Sequence, residues 1–176
     1  MIRIGGFITI ALLVALTLAW ADQGNQRSPY IGQELRDIKA LSPEDIQGYL
    51  AGKGVGLAKA AELNHYPGPA HVLEFAEKLK LTEEQREKTE EIFSAMQSES
   101  KRLGKDFIER ERELDRLFAN RSINNETLSS TLEQIGHLQT ELRRVHLKAH
   151  LEQRAILTED QVAKYDELRG YVGTGK

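Results

Sequence analysis

Apolar residues recur at helical spacing through the second half of the chain. From Thr82 to about Phe118, and again from about Glu126 to Ile156, they return every three, four or seven residues, and Glu, Lys and Arg fill most positions between them. This period is typical of a helix with one narrow buried face. The turn-forming run 120–125 separates the two segments, so the pattern predicts a helical hairpin. The predicted inward positions are Ile92, Met96, Leu103, Phe107, Leu114 and Leu117, then Leu128, Leu132, Ile135, Leu138, Leu142, Val145, Ala149 and Ile156.

One phrase, Leu-Thr-x-x-Gln, occurs twice, at 81–85 and 157–161. The Thr hydroxyl can accept from a backbone N–H of the first helical turn, and the Gln three residues later can reach back to the Thr N–H. We therefore expect one helix to begin after Thr82. A last helix is expected from Thr158 to about Tyr171.

Shorter helices are predicted before the hairpin. Ser and Pro at 42–43 are a helix start, and that helix should reach about Leu50. Further short helices are expected over 57–63 and 71–79. The glycine-rich run 52–56 follows no strand and matches no phosphate-binding loop, so we interpret it as a hinge.

The N-terminus has the pattern of an export signal. A positive start at 1–3 precedes a nearly continuous apolar run, and Ala19-Trp20-Ala21 resembles a cleavage site. The alternative is an uncleaved membrane anchor. Either way the rest of the chain should be exported, and we expect it in the periplasm. The predicted organisation is a signal or anchor at 1–21, a flexible tether at 22–41, a short-helix extension at 42–69 and the hairpin domain at 70–172.

Composition narrows the class of protein. Charged residues are 29% of the 176 residues, aromatic residues only 6%, and mean hydropathy is −0.47, which favours helices with broad solvated faces. A net charge of −3 argues against nucleic acid as a partner. The chain has no cysteine, which excludes disulfides, thiolate metal sites and thiol catalysis. Paired carboxylates such as Glu83-Glu84 fit solvated helix charges, so we expect binding rather than catalysis.

Two long helices with one narrow stripe each bury too little apolar surface by themselves. We therefore expect the hairpin to pack on the short helices and on a second copy of the chain. A homodimer is the simplest closed assembly.

The candidate metal ligands are histidines. His146 and His150 stand four residues apart, which places both imidazoles on one helix face, at the edge of the stripe near Leu142. They would form half of a Zn, Ni, Co or Cu site, completed by a neighbouring helix. The alternative is a pair of interfacial histidines hydrogen-bonded to Glu. The best candidates to complete this metal site are His71 and Glu74. The alternative for His71 is an ordinary residue in the first turn of its helix. Met96 lies on the apolar stripe, so we interpret it as a core residue in preference to a copper ligand.

The export signal, the hairpin and the two Leu-Thr-x-x-Gln phrases together resemble a periplasmic family. It includes the Spy/CpxP chaperone-like proteins and the CnrX/ZraP-type heavy-metal sensors. The resemblance covers roughly 70–171 and implies an all-α, often dimeric, hook-shaped protein. His146 and His150 lie near a ligand of the third helix of the CnrX-like sensors. The paired histidines that those sensors carry on their first helix are not reproduced here.

The resemblance implies two functions for one fold. A sensor would bind metal at His146 and His150, and a membrane signalling partner would read the change. A chaperone would hold unfolded periplasmic proteins on a cradle that includes Phe93, Phe107 and Phe118. A structural envelope adaptor without a ligand is the remaining alternative.

Overall fold

The structure, a computed structural model, describes residues 28–171, which form a short 3-10 helix and six α-helices. The 3-10 helix is Gln33–Leu35, and the α-helices are α1 Pro43–Leu50, α2 Lys59–Glu62, α3 Pro69–Glu74, α4 Glu83–Ala119, α5 Asn125–Ile156 and α6 Glu159–Arg169. The all-α class is confirmed. Among the described residues, no helix is both long and apolar enough to span a membrane. The expected signal segment 1–21 lies outside the described residues.

The long helices α4 and α5 form the predicted antiparallel hairpin. Their main core cluster contains Leu103, Phe107, Ile108, Ile135 and Leu142. Phe107 and Leu142 are each 1% exposed. Burying a side chain of this size stabilises a fold by about 1.5–3 kcal/mol.

One predicted inward position of α5 is wrong. Leu132 is 47% exposed, whereas Thr131 is only 5% exposed. Near the hairpin turn the inward face of α5 is therefore displaced by one residue, about 100° around the helix. The leucine spacing alone does not reveal this displacement.

The two Leu-Thr-x-x-Gln phrases meet in space. Each forms the predicted capping box, Thr82 with Gln85 and Thr158 with Gln161. The glutamines also bond each other: Gln85 Nε2 donates to Gln161 Oε1 at 2.8 Å, and Gln161 Nε2 donates to Gln85 Oε1 at 2.9 Å. Gln85 Nε2 donates as well to the carbonyl of Ile156 at 2.8 Å. The boxes thus join the start of α4 to the α5–α6 junction.

Helix α1 begins at the predicted cap, with Ser42 and Asp45 forming a capping box, and packs on α4. The Tyr49 ring meets the Phe107 ring edge-on, with ring centres 4.9 Å apart. A Cβ on Gly104 would stand 2.5 Å from the Tyr49 carbonyl oxygen. The close approach of α1 to α4 therefore requires glycine at this position in the middle of a long helix.

The tether predicted for 22–41 ends earlier than expected. Ile38 is fully buried and Leu41 is 8% exposed, and both belong to the core cluster of the hairpin. The Lys39 backbone N–H donates to Asp115 Oδ1 of α4 at 3.1 Å. Two isolated apolar residues in a polar segment carry no period, so their packing has no signature in the sequence.

A second cluster lies where α3 and α6 pack together. Its buried members are Val72, Leu79, Leu157, Val162 and Tyr165. The short helix expected over 71–79 is displaced to Pro69–Glu74 and continues as turns, with Lys80 at φ 51°. The short helix expected over 57–63 is Lys59–Glu62. The last helix ends at Arg169 because Gly170 takes a left-handed conformation, φ 76°, at its C-cap.

Candidate metal centre

A cavity of about 760 Å³ lies between the N-terminal extension and the long helices. Segments 51–56 and 68–71 form one wall, and α4 and α5 form the other. His146 and His150 both line this cavity. The predicted histidine pair therefore faces the extension.

The orientation of His150 leaves one ring nitrogen available. The residue is 8% exposed, and its Nδ1 lies 2.7 Å from the backbone oxygen of Tyr66. A carbonyl oxygen only accepts, so Nδ1 carries a proton, and Nε2 is the nitrogen that can offer a lone pair. A Cβ on Gly68 would stand 3.1 Å from that Nε2. Glycine at 68 therefore permits the extension to approach the imidazole ring this closely.

Glu62 of α2 approaches His150 from the extension. Its Oε1 accepts from Tyr165 Oη at 2.7 Å, Arg169 Nε at 3.0 Å and Tyr171 Oη at 3.0 Å. Burial, and next the bond to Glu62, raise the pKa of Tyr165 far above its ordinary value. These contacts hold the Glu62 carboxylate in place.

The other oxygen of Glu62 has no such partner. Oε2 is buried, makes no hydrogen bond and lies 3.8 Å from His150 Nδ1. The same Cβ on Gly68 that would approach His150 Nε2 would stand 3.6 Å from Oε2. An unpaired buried carboxylate oxygen is costly. Glu62 and His150 both line the cavity, so this unpaired oxygen lies beside the histidine pair.

His146, one helical turn earlier, is 3% exposed. Its Nε2 lies 3.2 Å from Ser100 Oγ, and a Cβ on Gly54 would stand 3.6 Å from its Nδ1. Burial lowers the pKa of His146, and the neighbouring His150 lowers it further. The ring is therefore held neutral, the form in which imidazole binds metals.

The predicted completing pair is divided by the fold. His71 lines the cavity, but Glu74 does not. The two bond each other, Nδ1 to Oε2 at 3.1 Å, with side chains 42% and 61% exposed. Within residues 28–171, no three His, Cys, Asp or Glu side chains are grouped closely enough to hold a metal ion. His71 and Glu74 thus do not complete a site with His146 and His150 in this arrangement.

The donor atoms fit a transition metal as a partial set. Imidazoles are ligands that such ions prefer, and the Tyr66 carbonyl orients the His150 ring as outer hydrogen-bond partners do in metal sites. Glu62 lines the same cavity, and its Oε2 is a buried acceptor to which no group donates a hydrogen bond. His146 and His150 would hold the ion, and the remaining coordination positions need other donors.

The chain matches the profile of a heavy-metal resistance family over residues 50–164, more than half of its length. The chain belongs to this family. The match spans Glu62, His146 and His150 and agrees with the resemblance to the CnrX/ZraP-type proteins. No curated protein and no solved structure matches the chain.

Several residues at this site are not predicted from the sequence. In the sequence, Glu62 and Ser100 look like ordinary polar helix residues, and only tertiary packing brings them close to the histidines. Gly54 and Gly68 do carry a signal, because glycines clustered at 52–56 and beside prolines permit close approach. The sequence indicates a hinge and a turn at these glycines, but not the neighbour that approaches them.

Proposed function

We propose that this heavy-metal resistance protein binds a transition metal ion in the cavity, with His146 and His150 as imidazole ligands. One observation carries the proposal. Two imidazoles one helical turn apart, His146 and His150, line the same cavity as Glu62, whose Oε2 is buried without a hydrogen-bond partner.

The site also suggests how bound metal is reported. His150 belongs to α5, whereas Tyr66, Gly68 and Glu62 belong to the extension. Metal at His150 would therefore change how firmly the extension is held against the hairpin. We propose that the protein is exported, that it acts in the periplasm as a metal sensor or resistance protein, and that a membrane partner reads this change. The export-signal pattern at 1–21 supports that location.

Calorimetric titration with Zn, Ni, Co and Cu tests the metal proposal. Removing one imidazole, His146→Ala or His150→Ala, should weaken binding by about tenfold or more, because loss of even an outer hydrogen-bond partner has an effect of that size. His137→Ala is the matched control, because His137 is an exposed histidine of α5 outside the cavity. Binding unchanged in the double variant would refute the site. Sedimentation of the same samples tests the proposed homodimer, which a monomeric mass with and without metal would exclude.

A second candidate, holding unfolded proteins, has one observation in its favour. Phe118 is 56% exposed and Leu132 is 47% exposed, and both lie near the turn of the hairpin. Phe107, expected in the client-binding cradle, is only 1% exposed and cannot serve there. Suppression of client aggregation at near-stoichiometric amounts, reduced in Phe118→Ser, would support this function. No suppression with several clients would remove it.

A further inference from the structure

The glycine-rich segment 52–56 forms part of the cavity wall and leaves backbone donors without acceptors. Among the described residues, no backbone carbonyl accepts from the N–H groups of Gly54, Val55 and Gly56. All three residues line the cavity, and Val55 and Gly56 have φ angles of 42° and 81°. Successive N–H groups in a turn of this kind often bind an anion. The hinge predicted from these glycines does not account for the unused donors.

Three lysines lie on or beside the same segment. Lys53 belongs to it and lines the cavity. A Cβ on Gly52 would stand 3.1 Å from Lys101 Cγ. A Cβ on Gly56 would stand 3.8 Å from Lys59 Nζ. Lys59 and Lys101 also line the cavity, and within residues 28–171 none of the three lysines has a carboxylate within ion-pair distance.

The lining therefore carries an excess of positive charge. Arg169 also lines the cavity, but its Nε donates to Glu62 Oε1 at 3.0 Å, so these two charges offset each other. Glu62 is the sole carboxylate among the described residues of the lining. The charge of the three lysines is thus left unbalanced. A cleft lined by one sign of charge attracts ligands of the opposite sign, here an anion.

Much of the remaining lining is apolar. Phe93 and Met96 of α4 contribute to it, together with Pro69 of α3. Met96 is 9% exposed and Phe93 is half-buried, whereas Lys53 and Lys59 are exposed. The cavity thus combines a buried apolar surface with a positively charged opening. A volume of about 760 Å³ with mostly apolar walls and a few polar groups is typical of a site for a small organic molecule.

We propose that this cavity binds a small amphipathic organic anion, a carboxylate joined to an apolar body. The carboxylate would accept from the three lysines and from the N–H groups of segment 52–56, and the apolar body would lie against Phe93 and Met96. The inference goes beyond the proposed function, because it names a second ligand that needs no metal. The charge of this anion would also offset the repulsion between the lysines and a metal ion at His146 and His150.

Calorimetric titration of the full chain, freed of metal on a chelating resin, tests the proposal with decanoate below its micelle concentration. Acetate has the same head without the apolar body, and decyltrimethylammonium has a tail of the same length with the opposite charge. Decanoate should bind, and both comparison ligands should bind at least about tenfold more weakly. No binding of decanoate, or binding no tighter than that of either comparison ligand, would overturn the inference.

Two double variants remove the same charge from different places. Lys53→Gln combined with Lys101→Gln should weaken decanoate binding by about tenfold or more, because charge-assisted hydrogen bonds are lost. Lys80→Gln combined with Lys105→Gln is the control, because both lysines are exposed and neither lines the cavity. The control should stay within about twofold of wild type. Equal affinities in the two double variants would show that the cavity lysines do not hold the carboxylate, and would overturn the inference.

A readout in wild-type protein makes the test independent of how the variants fold. Saturating decanoate should shift the ε-methyl NMR resonance of Met96, and an unmoved resonance overturns the inference. The substituted lysines are not the proposed metal ligands, so this failure would leave metal binding at the histidines standing. Failure of every metal to bind, with decanoate bound as expected, would overturn the proposed function alone.

Discussion

The contact between the two capping boxes should make their glutamines energetically coupled. In Gln85→Ala, four hydrogen bonds are lost: the cap to Thr82, two bonds with Gln161 and one to the Ile156 carbonyl. In Gln161→Ala the losses are similar, since its Nε2 also donates to a carbonyl, that of Leu79 at 3.2 Å. At about 0.5–1.5 kcal/mol per net bond, the four bonds make each variant lose about 2–6 kcal/mol of unfolding free energy.

The double variant distinguishes coupling from two independent caps. The two bonds between Gln85 and Gln161 are lost in either single variant, so the double variant should cost about 1–3 kcal/mol less than the sum. Urea unfolding followed by circular dichroism measures the three free energies. Gln134→Ala is the control, because Gln134 makes one exposed bond at 3.3 Å and should change stability by no more than about 0.5 kcal/mol. Costs that add within about 0.3 kcal/mol would show that the boxes act separately and refute the coupling.

Three further predictions concern stability. Gly104→Ala should destabilise the fold by about 2 kcal/mol or more, because its Cβ would meet the Tyr49 carbonyl oxygen at 2.5 Å. Gly136→Ala has open space around it and should stabilise α5 by about 0.5–1 kcal/mol. Denaturant midpoints compare the two variants directly, and equal effects would contradict the packing of α1 on α4. Burial raises the pKa of Glu111 above its ordinary value, so the folded state binds its proton more readily than the unfolded state and stability falls as pH rises past that value. Glu111→Gln should therefore be more stable than wild type at pH 7 but not at pH 3, and a gain independent of pH would refute this. Burial lowers the pKa of His146, so metal-free protein should lose stability as pH falls below the ordinary value of about 6.5, and His146→Gln should show a smaller loss in the same pH series.

The helices of this fold are largely predictable because their ends are marked by local chemistry. Ser42, Thr82 and Thr158 are followed three residues later by Asp or Gln, and each forms a capping box in the structure. The apolar stripes of α4 and α5 are predictable because the same spacing repeats over many helical turns, so one irregular position does not hide it. The exposure of Leu132 is not, because one helix face rotates near the turn and spacing alone cannot show it.

The site is predictable only in part. His146 and His150 can be identified because both lie on one helix, where sequence spacing fixes their geometry. Their partners come from 51–71, a segment of short helices and turns whose position depends on packing against the hairpin. Glu62 is therefore distinct from the other glutamates of the chain only in three dimensions.

The most direct test of the account is ¹H–¹⁵N NMR of the histidine side chains during metal titration, with His146→Gln and His150→Gln used for assignment. In the metal-free protein, Nδ1 of His150 should carry a proton, as its bond to the Tyr66 carbonyl requires. Added metal should shift His150 Nε2 and perturb His146, and leave His137 unchanged. A His150 Nδ1 without a proton in the free protein, or a saturating metal that leaves both cavity histidines unmoved, would contradict the account.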